Sequence, residues 1–145
     1  MPTSAEIIAR YYVGYYNRAP DPVGFEFWVN AYESGVSTLE IANYFADQDE
    51  TRALYPYFAD PENSTPEAFI TSIYLNLFNR DPDGAGVEFW TDALTSGEVS
   101  TGQMIEAIIG GATTDPDFSV IQDKVDTALL TLGIDPTDDL ATGFA

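Results

Sequence analysis

Asn79, Asp81 and Asp83 offer side-chain oxygens at every second position and run into Gly84, matching positions one, three, five and six of a calcium-binding EF-hand loop. Oxygen donors in that order suit a hard cation, and calcium is the cofactor the pattern admits. The match then stops. The twelfth position, where a bidentate Glu closes such a loop, is Trp90, which leaves only a weaker surface calcium site on Asn79, Asp81 and Asp83. With no Cys and no His, the chain has no thiol chemistry, no disulfide, no His-based triad and no ordinary zinc site. Paired carboxylates are inevitable among 24 acidic residues, so no single pair marks a glycosidase centre. A phosphate-cradling Gly-rich loop, a nucleophile elbow and an HExxH motif are all missing from the sequence. The chain reads as non-enzymatic.

Aromatic residues suggest a second kind of chemistry. Tyr11, Tyr12, Tyr15 and Tyr16 crowd one segment, and a later, related segment carries Ile73 and Leu77 where Tyr11 and Tyr15 stand. Rings that one segment needs and its relative does without are candidates for a platform under sugar rings, so Tyr11 and Tyr15 are the expected glycan or partner contacts. The competing explanation is that Tyr packs its ring in a core, or that the face meets another subunit.

These residues belong to a repeated frame. Asn17-Arg18-Ala19-Pro20-Asp21 through Gly24, Glu26, Phe27 and Trp28 recurs as Asn79-Arg80-Asp81-Pro82-Asp83 through Gly86, Glu88, Phe89 and Trp90. Pro20 and Pro82 push the preceding residue out of helical geometry, Asp21 and Asp83 are placed to cap the next helix, and Gly24 and Gly86 permit close approach in its first turn. Arg18 and Arg80 are two of only five basic residues, and each is expected in a buried ion pair with Glu26 or Glu88 or with the capping Asp. Trp28 and Trp90 fall two turns after the caps and are expected to point inward. Arg18, Asp21, Gly24, Trp28, Arg80, Asp83, Gly86 and Trp90 are thus read as a structural motif.

Helical punctuation surrounds the motif. Thr3 to Glu6 and Ser64 to Glu67 have capping-box spacing, with Ile8/Tyr12/Tyr16 and Ile70/Tyr74/Phe78 after them at four-residue intervals. Gly35 and Gly97 read as stops, and Ser37 and Ser100 as starts of third helices. No segment alternates at period two over strand length. The fold class is therefore all-α: two tandem, similar three-helix units over about 5–57 and 66–112, packed as one domain over 1–132. A C-terminal helix over about 117–132 completes it, with 133–145 as a flexible acidic tail.

A formal charge of −19 repels phosphate backbones and anionic headgroups, so nucleic acid is not an expected partner. No apolar run is long enough to cross a membrane, and the N-terminus lacks the basic and apolar regions of a Sec signal.

The stretch Tyr74 to Asp83, continuing through Gly86-Val87-Glu88-Phe89-Trp90 to Ala93-Leu94 and Ser96-Gly97, resembles the signature of the domain-of-unknown-function 4214 family. The first copy resembles it with departures at Ala19 and Pro22. It is also similar to the helical domain of phycobilisome linker polypeptides. The resemblance implies a bacterial secreted protein of surface-layer or calcium-binding-repeat type, exported by type I secretion and located extracellularly at the cell surface, of which this sequence is the N-terminal module. The expected partners are envelope polysaccharide or the chain itself, as a homo-oligomer, surface layer or filament, assisted by calcium. The alternatives are a carbohydrate-binding, targeting domain of a carbohydrate-active enzyme and a cytoplasmic scaffold.

Overall fold

The computed structural model describes residues 2–136, and every regular element among them is an α-helix: α1 (Ser4–Tyr16), α2 (Pro22–Glu33), α3 (Thr38–Ala46), α4 (Asp49–Leu54), α5 (Pro56–Ala59), α6 (Glu67–Phe78), α7 (Gly84–Thr95), α8 (Thr101–Gly111) and α9 (Asp117–Thr131). The protein is all-α. Residues 137–145, most of the expected acidic tail, lie outside the described residues.

Local chemistry accounts for most of these boundaries. Thr3 and Glu6 close a reciprocal capping box on α1, and Ser100 and Gln103 close one on α8. Ser37 Oγ accepts the Glu40 N–H at the start of α3. Gly35 and Gly97 stop α2 and α7 at φ of 110° and 78°, where a side chain would be strained. The expected box at Ser64 does not form. Ser64 Oγ donates instead to the Asp60 carbonyl, closing the turn between the halves, and α6 starts behind Pro66 with no side-chain cap. Gly133, at φ 75°, ends α9, and the Ile134 N–H returns to the Leu129 carbonyl while the Ile134 side chain packs on the core. The chain just after α9 is thus a structured helix stop rather than the start of a free tail. Helices α4 and α5 were not expected.

Two pairings bring the halves together. Helix α1 packs along α6 and α9, and α3 packs along α8. The pairs α1–α6 and α3–α8 each join helices that hold corresponding places in the repeated sequence. Gly102 makes the second contact possible: a Cβ there would lie 2.6 Å from Asn43 Oδ1 and 3.0 Å from the Asn43 nitrogen. The Gly102 N–H donates to Asn43 Oδ1 at 2.8 Å. Between the layers lies a core built from Ile8, Tyr15, Phe25, Ile41 and Phe45 of the first half, with Phe69, Ile70, Ile73, Leu77, Met104 and Ile105 of the second, and Leu129 of α9. Each such side chain contributes about 1.5–3 kcal/mol by leaving water.

Candidate functional site

The repeated motif folds alike in both halves. Asn17 and Asn79 end α1 and α6 in left-handed conformation, at φ of 51° and 58°, and their N–H groups donate to Val13 and Leu75 carbonyls. Asn tolerates that conformation better than most residues, which explains its presence without a metal. Asp21 and Asp83 then cap α2 and α7, accepting the N–H groups of Gly24 at 2.9 Å and Gly86 at 2.6 Å. A Cβ on Gly24 would fall 2.6 Å from both the Asp21 carboxylate and the Tyr12 hydroxyl, so any larger residue there must displace both groups. Of the three expected calcium donors, Asp83 is engaged in capping, Asn79 serves the backbone turn, and Asp81 is exposed. Among the described residues no three carboxylates gather into a group able to hold a metal ion.

Arg18 lies within ion-pair distance of the capping Asp21, one of its expected partners, but the closest partner of each arginine is one that sequence spacing did not indicate. Arg18 makes a bidentate pair with Glu50, Nε to Oε2 at 3.0 Å and Nη2 to Oε1 at 2.6 Å, with Asp21 3.6 Å away. Arg80 makes the same fork with Asp117, at 3.0 and 2.8 Å. Glu26 and Glu88 are exposed and take no part. Each partner carboxylate sits in the first turn of the helix that comes after the third, where the unpaired N–H groups also favour negative charge. Nor are the pairs buried: the Arg18 and Arg80 side chains are 39% and 46% exposed. Their inner faces lie on rings instead, Arg18 5.3 Å from the centroids of Tyr12 and Tyr16, and Arg80 5.3 and 5.8 Å from those of Tyr74 and Phe78. The hydrogen bonds to Glu50 and Asp117 raise both guanidinium pKa values, and Arg80 holds the Asp117 carboxyl below its ordinary range.

Tyr11 and Tyr15 are not a surface platform. They are 4% and 0% exposed, and their hydroxyls donate to the Thr38 and Ala42 carbonyls of α3 at 3.2 and 2.8 Å. Tyr16 continues the series, sharing the Phe45 carbonyl at the end of α3 with Thr51. Burial pushes all of these phenols above their ordinary range, so they remain neutral donors. The aliphatic replacements Ile73 and Leu77 therefore mark a difference in how helix one is stitched to helix three, not a lost ligand contact.

The exposed aromatic surface lies one helix away. Trp28 stacks on Tyr44 with centroids 5.9 Å apart and a 29° interplanar angle, and touches Phe27 and Phe45 at 5.0 and 5.3 Å. Phe27 is 62% exposed and Val23 stands beside it. Val23, Phe27, Trp28 and Phe45, with Tyr12, Tyr16, Arg18 and Glu50, line an open groove of about 510 Å³, rimmed by Asp21 and Asp49. Both tryptophans are only partly buried, short of the inward placement expected. The counterpart cleft, walled by Tyr74, Phe78, Arg80, Trp90, Ile108 and Asp117, encloses about 180 Å³. Rings flanked by carboxylates can take the C–H face of a sugar while accepting its hydroxyls. A signal for this surface was present in the sequence: Phe25 and Phe27 are two residues apart on a helix and cannot both face the core. Phe25 is buried and Phe27 is outside.

A family model described as a domain of unknown function (DUF4214) matches residues 57–112, from α5 to the first residue beyond α8. No curated protein matches the chain, and no solved structure does.

Proposed function

With residues 57–112 belonging to the DUF4214 family, we propose that the chain is a non-enzymatic attachment module of a secreted bacterial surface protein, binding envelope polysaccharide outside the cell through the groove around Trp28. The observation that carries this reading is the aromatic cluster in which exposed Phe27 meets Trp28 edge-on and Trp28 stacks on Tyr44, with Phe27 and Trp28 lining a groove that also holds the carboxylates of Asp21 and Asp49. Apolar side chains left in water on one face mark a contact surface more often than a structural need. At a formal charge of −19, approach to an acidic glycan or to another copy is opposed unless cations intervene. Calcium acts here as a screening and bridging ion between molecules. Self-assembly is a second reading, favoured by Phe89, which is 61% exposed and gives each chain a like apolar spot on both halves.

Co-sedimentation of the purified chain with cells or purified surface polysaccharide, with calcium or with a chelator, tests both readings. Binding that needs calcium and is lost in Phe27→Ser and Tyr44→Ala supports attachment. Calcium-dependent growth in light-scattering mass, lost in Phe89→Ser, supports assembly. A monomer that binds nothing in either condition ends both.

A further inference from the structure

Four of the five basic side chains are committed within the fold. Arg18 and Arg80 hold Glu50 and Asp117, Arg52 holds Asp49, and Lys124 Nζ donates to the Leu75 and Asn76 carbonyls at the end of α6. Arg10 alone makes no hydrogen bond or ion pair among the described residues, although the chain has 24 carboxylates to offer. Glu6, one turn earlier on α1, is close enough for its charge to be felt, but its oxygens accept from the Thr3 N–H and from Gln122 instead. Arg10 is half-buried, and that burial outweighs Glu6 and lowers its pKa. A partly desolvated guanidinium without an acceptor is an uncompensated cost, tolerated where a ligand supplies the acceptor.

Arg10 lines a cleft of about 290 Å³ between α1 and α8, at the small end of ligand pockets, which run from roughly 300 Å³ upward. The same cleft contains Glu106, whose Oε1 is buried and receives no hydrogen bond. Arg10 and Glu106 do not satisfy each other. Tyr11 lies near both: burial first and then the Glu106 charge push its hydroxyl up, the Arg10 charge pulls it down, and its bond to the Thr38 carbonyl fixes the ring. Ile7 and Ile109 add apolar wall.

The other half does not repeat this arrangement. Ser72 stands where Arg10 does, and Asn43, which stands where Glu106 does, is satisfied by the Gly102 N–H. The corresponding cleft beside Asn43 is walled by Tyr57 and Phe58. A cation and a carboxylate placed together against the repeat are features the shared frame does not require.

We propose that this cleft binds a small zwitterion, a free amino acid or a dipeptide, with its carboxylate on the Arg10 guanidinium and its ammonium group donating to Glu106. A bidentate Arg–carboxylate contact sets the orientation, and Ile7 and Ile109 receive an apolar side chain. The site is separate from the Trp28 groove, so either can fail without the other.

The test is an amide-proton and nitrogen NMR titration of the whole chain with L-leucine, N-acetyl-leucine, leucinamide and leucyl-leucine, each to about 10 mM, a range that detects millimolar affinity. Leucine or leucyl-leucine is expected to shift the Ile7, Tyr11 and Thr38 signals saturably, while the acetylated and amidated forms bind about tenfold more weakly or not at all. Tighter binding of leucyl-leucine identifies a dipeptide as the ligand, and tighter binding of leucine a free amino acid. In Arg10→Gln the advantage of leucine over leucinamide should vanish, and in Glu106→Gln its advantage over N-acetyl-leucine, with spectral dispersion reporting an intact fold. Saturable shifts with none of the four probes, equal affinity for all four, or wild-type affinity in both variants would overturn the proposal.

Discussion

Tyr12, Tyr16, Arg18, Trp28 and Glu50 in the first half stand where Tyr74, Phe78, Arg80, Trp90 and Asp117 stand in the second, yet the spaces they enclose are about 510 and 180 Å³. The arginine forks, the left-handed Asn caps and the Asp caps coincide, so the frame is not what differs. Side chains on the third helix differ: Tyr44 and Phe45 correspond to Ala107 and Ile108. So does the next helix in each half. In the first half it is α4, six residues long, whereas in the second it is α9, fifteen residues long and packed against α1 and α6. One copy has been drawn into the body of the molecule, and the other has kept an aromatic opening. The same motif frame thus occurs twice, and differences at a few side chains and in the helix that follows leave the first copy with the larger aromatic groove.

The largest expected effect of a single change lies in Phe45, whose ring touches those of Tyr11, Tyr12, Tyr15, Tyr16 and Trp28. Phe45→Ala should cost about 4 kcal/mol in urea unfolding and Ile108→Ala about 3 kcal/mol. Equal costs, or a smaller one for Phe45, would show that the first half is not organised around that ring. Next comes the glycine of the motif. Gly24→Ala forces a Cβ against both Asp21 and Tyr12, whereas Gly86→Ala meets only the Asp83 oxygen at 3.0 Å. The expected losses are about 2 and about 1 kcal/mol, read from the same unfolding curves.

The arginine forks should matter less, and alike in both halves. Partly exposed pairs are screened, so Arg18→Ala and Arg80→Ala should each cost about 1 kcal/mol, including the stacking on the rings beneath. Asp117 gives this a pH signature. Its pKa is depressed in the fold by Arg80, so its contribution is fully present above the unfolded value of about 3.9 and is lost as pH falls through the lower folded value. Wild type should exceed Asp117→Asn in stability at neutral pH and converge with it in strong acid. A gap that persists in acid would assign Asp117 a role other than its charge.

Helix types and most caps were legible in the sequence because they depend on neighbours within a turn or so: Thr3 with Glu6, Ser100 with Gln103, Gly35 and Gly97 as stops. The Arg partners were not, because Glu50 and Asp117 reach Arg18 and Arg80 only after three helices have folded back. Helix α4 was missed since its six residues are too few to show a period, and it is held by tertiary contacts such as buried Thr51. The burial of Tyr11 and Tyr15 is hidden in the sequence for a related reason: a Tyr whose hydroxyl reaches a carbonyl of another helix has the same local pattern as one facing water. The lone Arg10 was visible as one of five basic residues, but its want of a partner emerges only once the other four are seen to be engaged.

The claim that one copy alone is open for contact is tested most directly through the two indoles. In Trp90→Phe the only tryptophan is Trp28, and in Trp28→Phe it is Trp90. Each variant is titrated with purified bacterial surface polysaccharide in calcium, and tryptophan emission is followed. The account predicts a saturable blue shift from Trp28 and no response from Trp90. A response from Trp90 alone, from both equally, or from neither would contradict it.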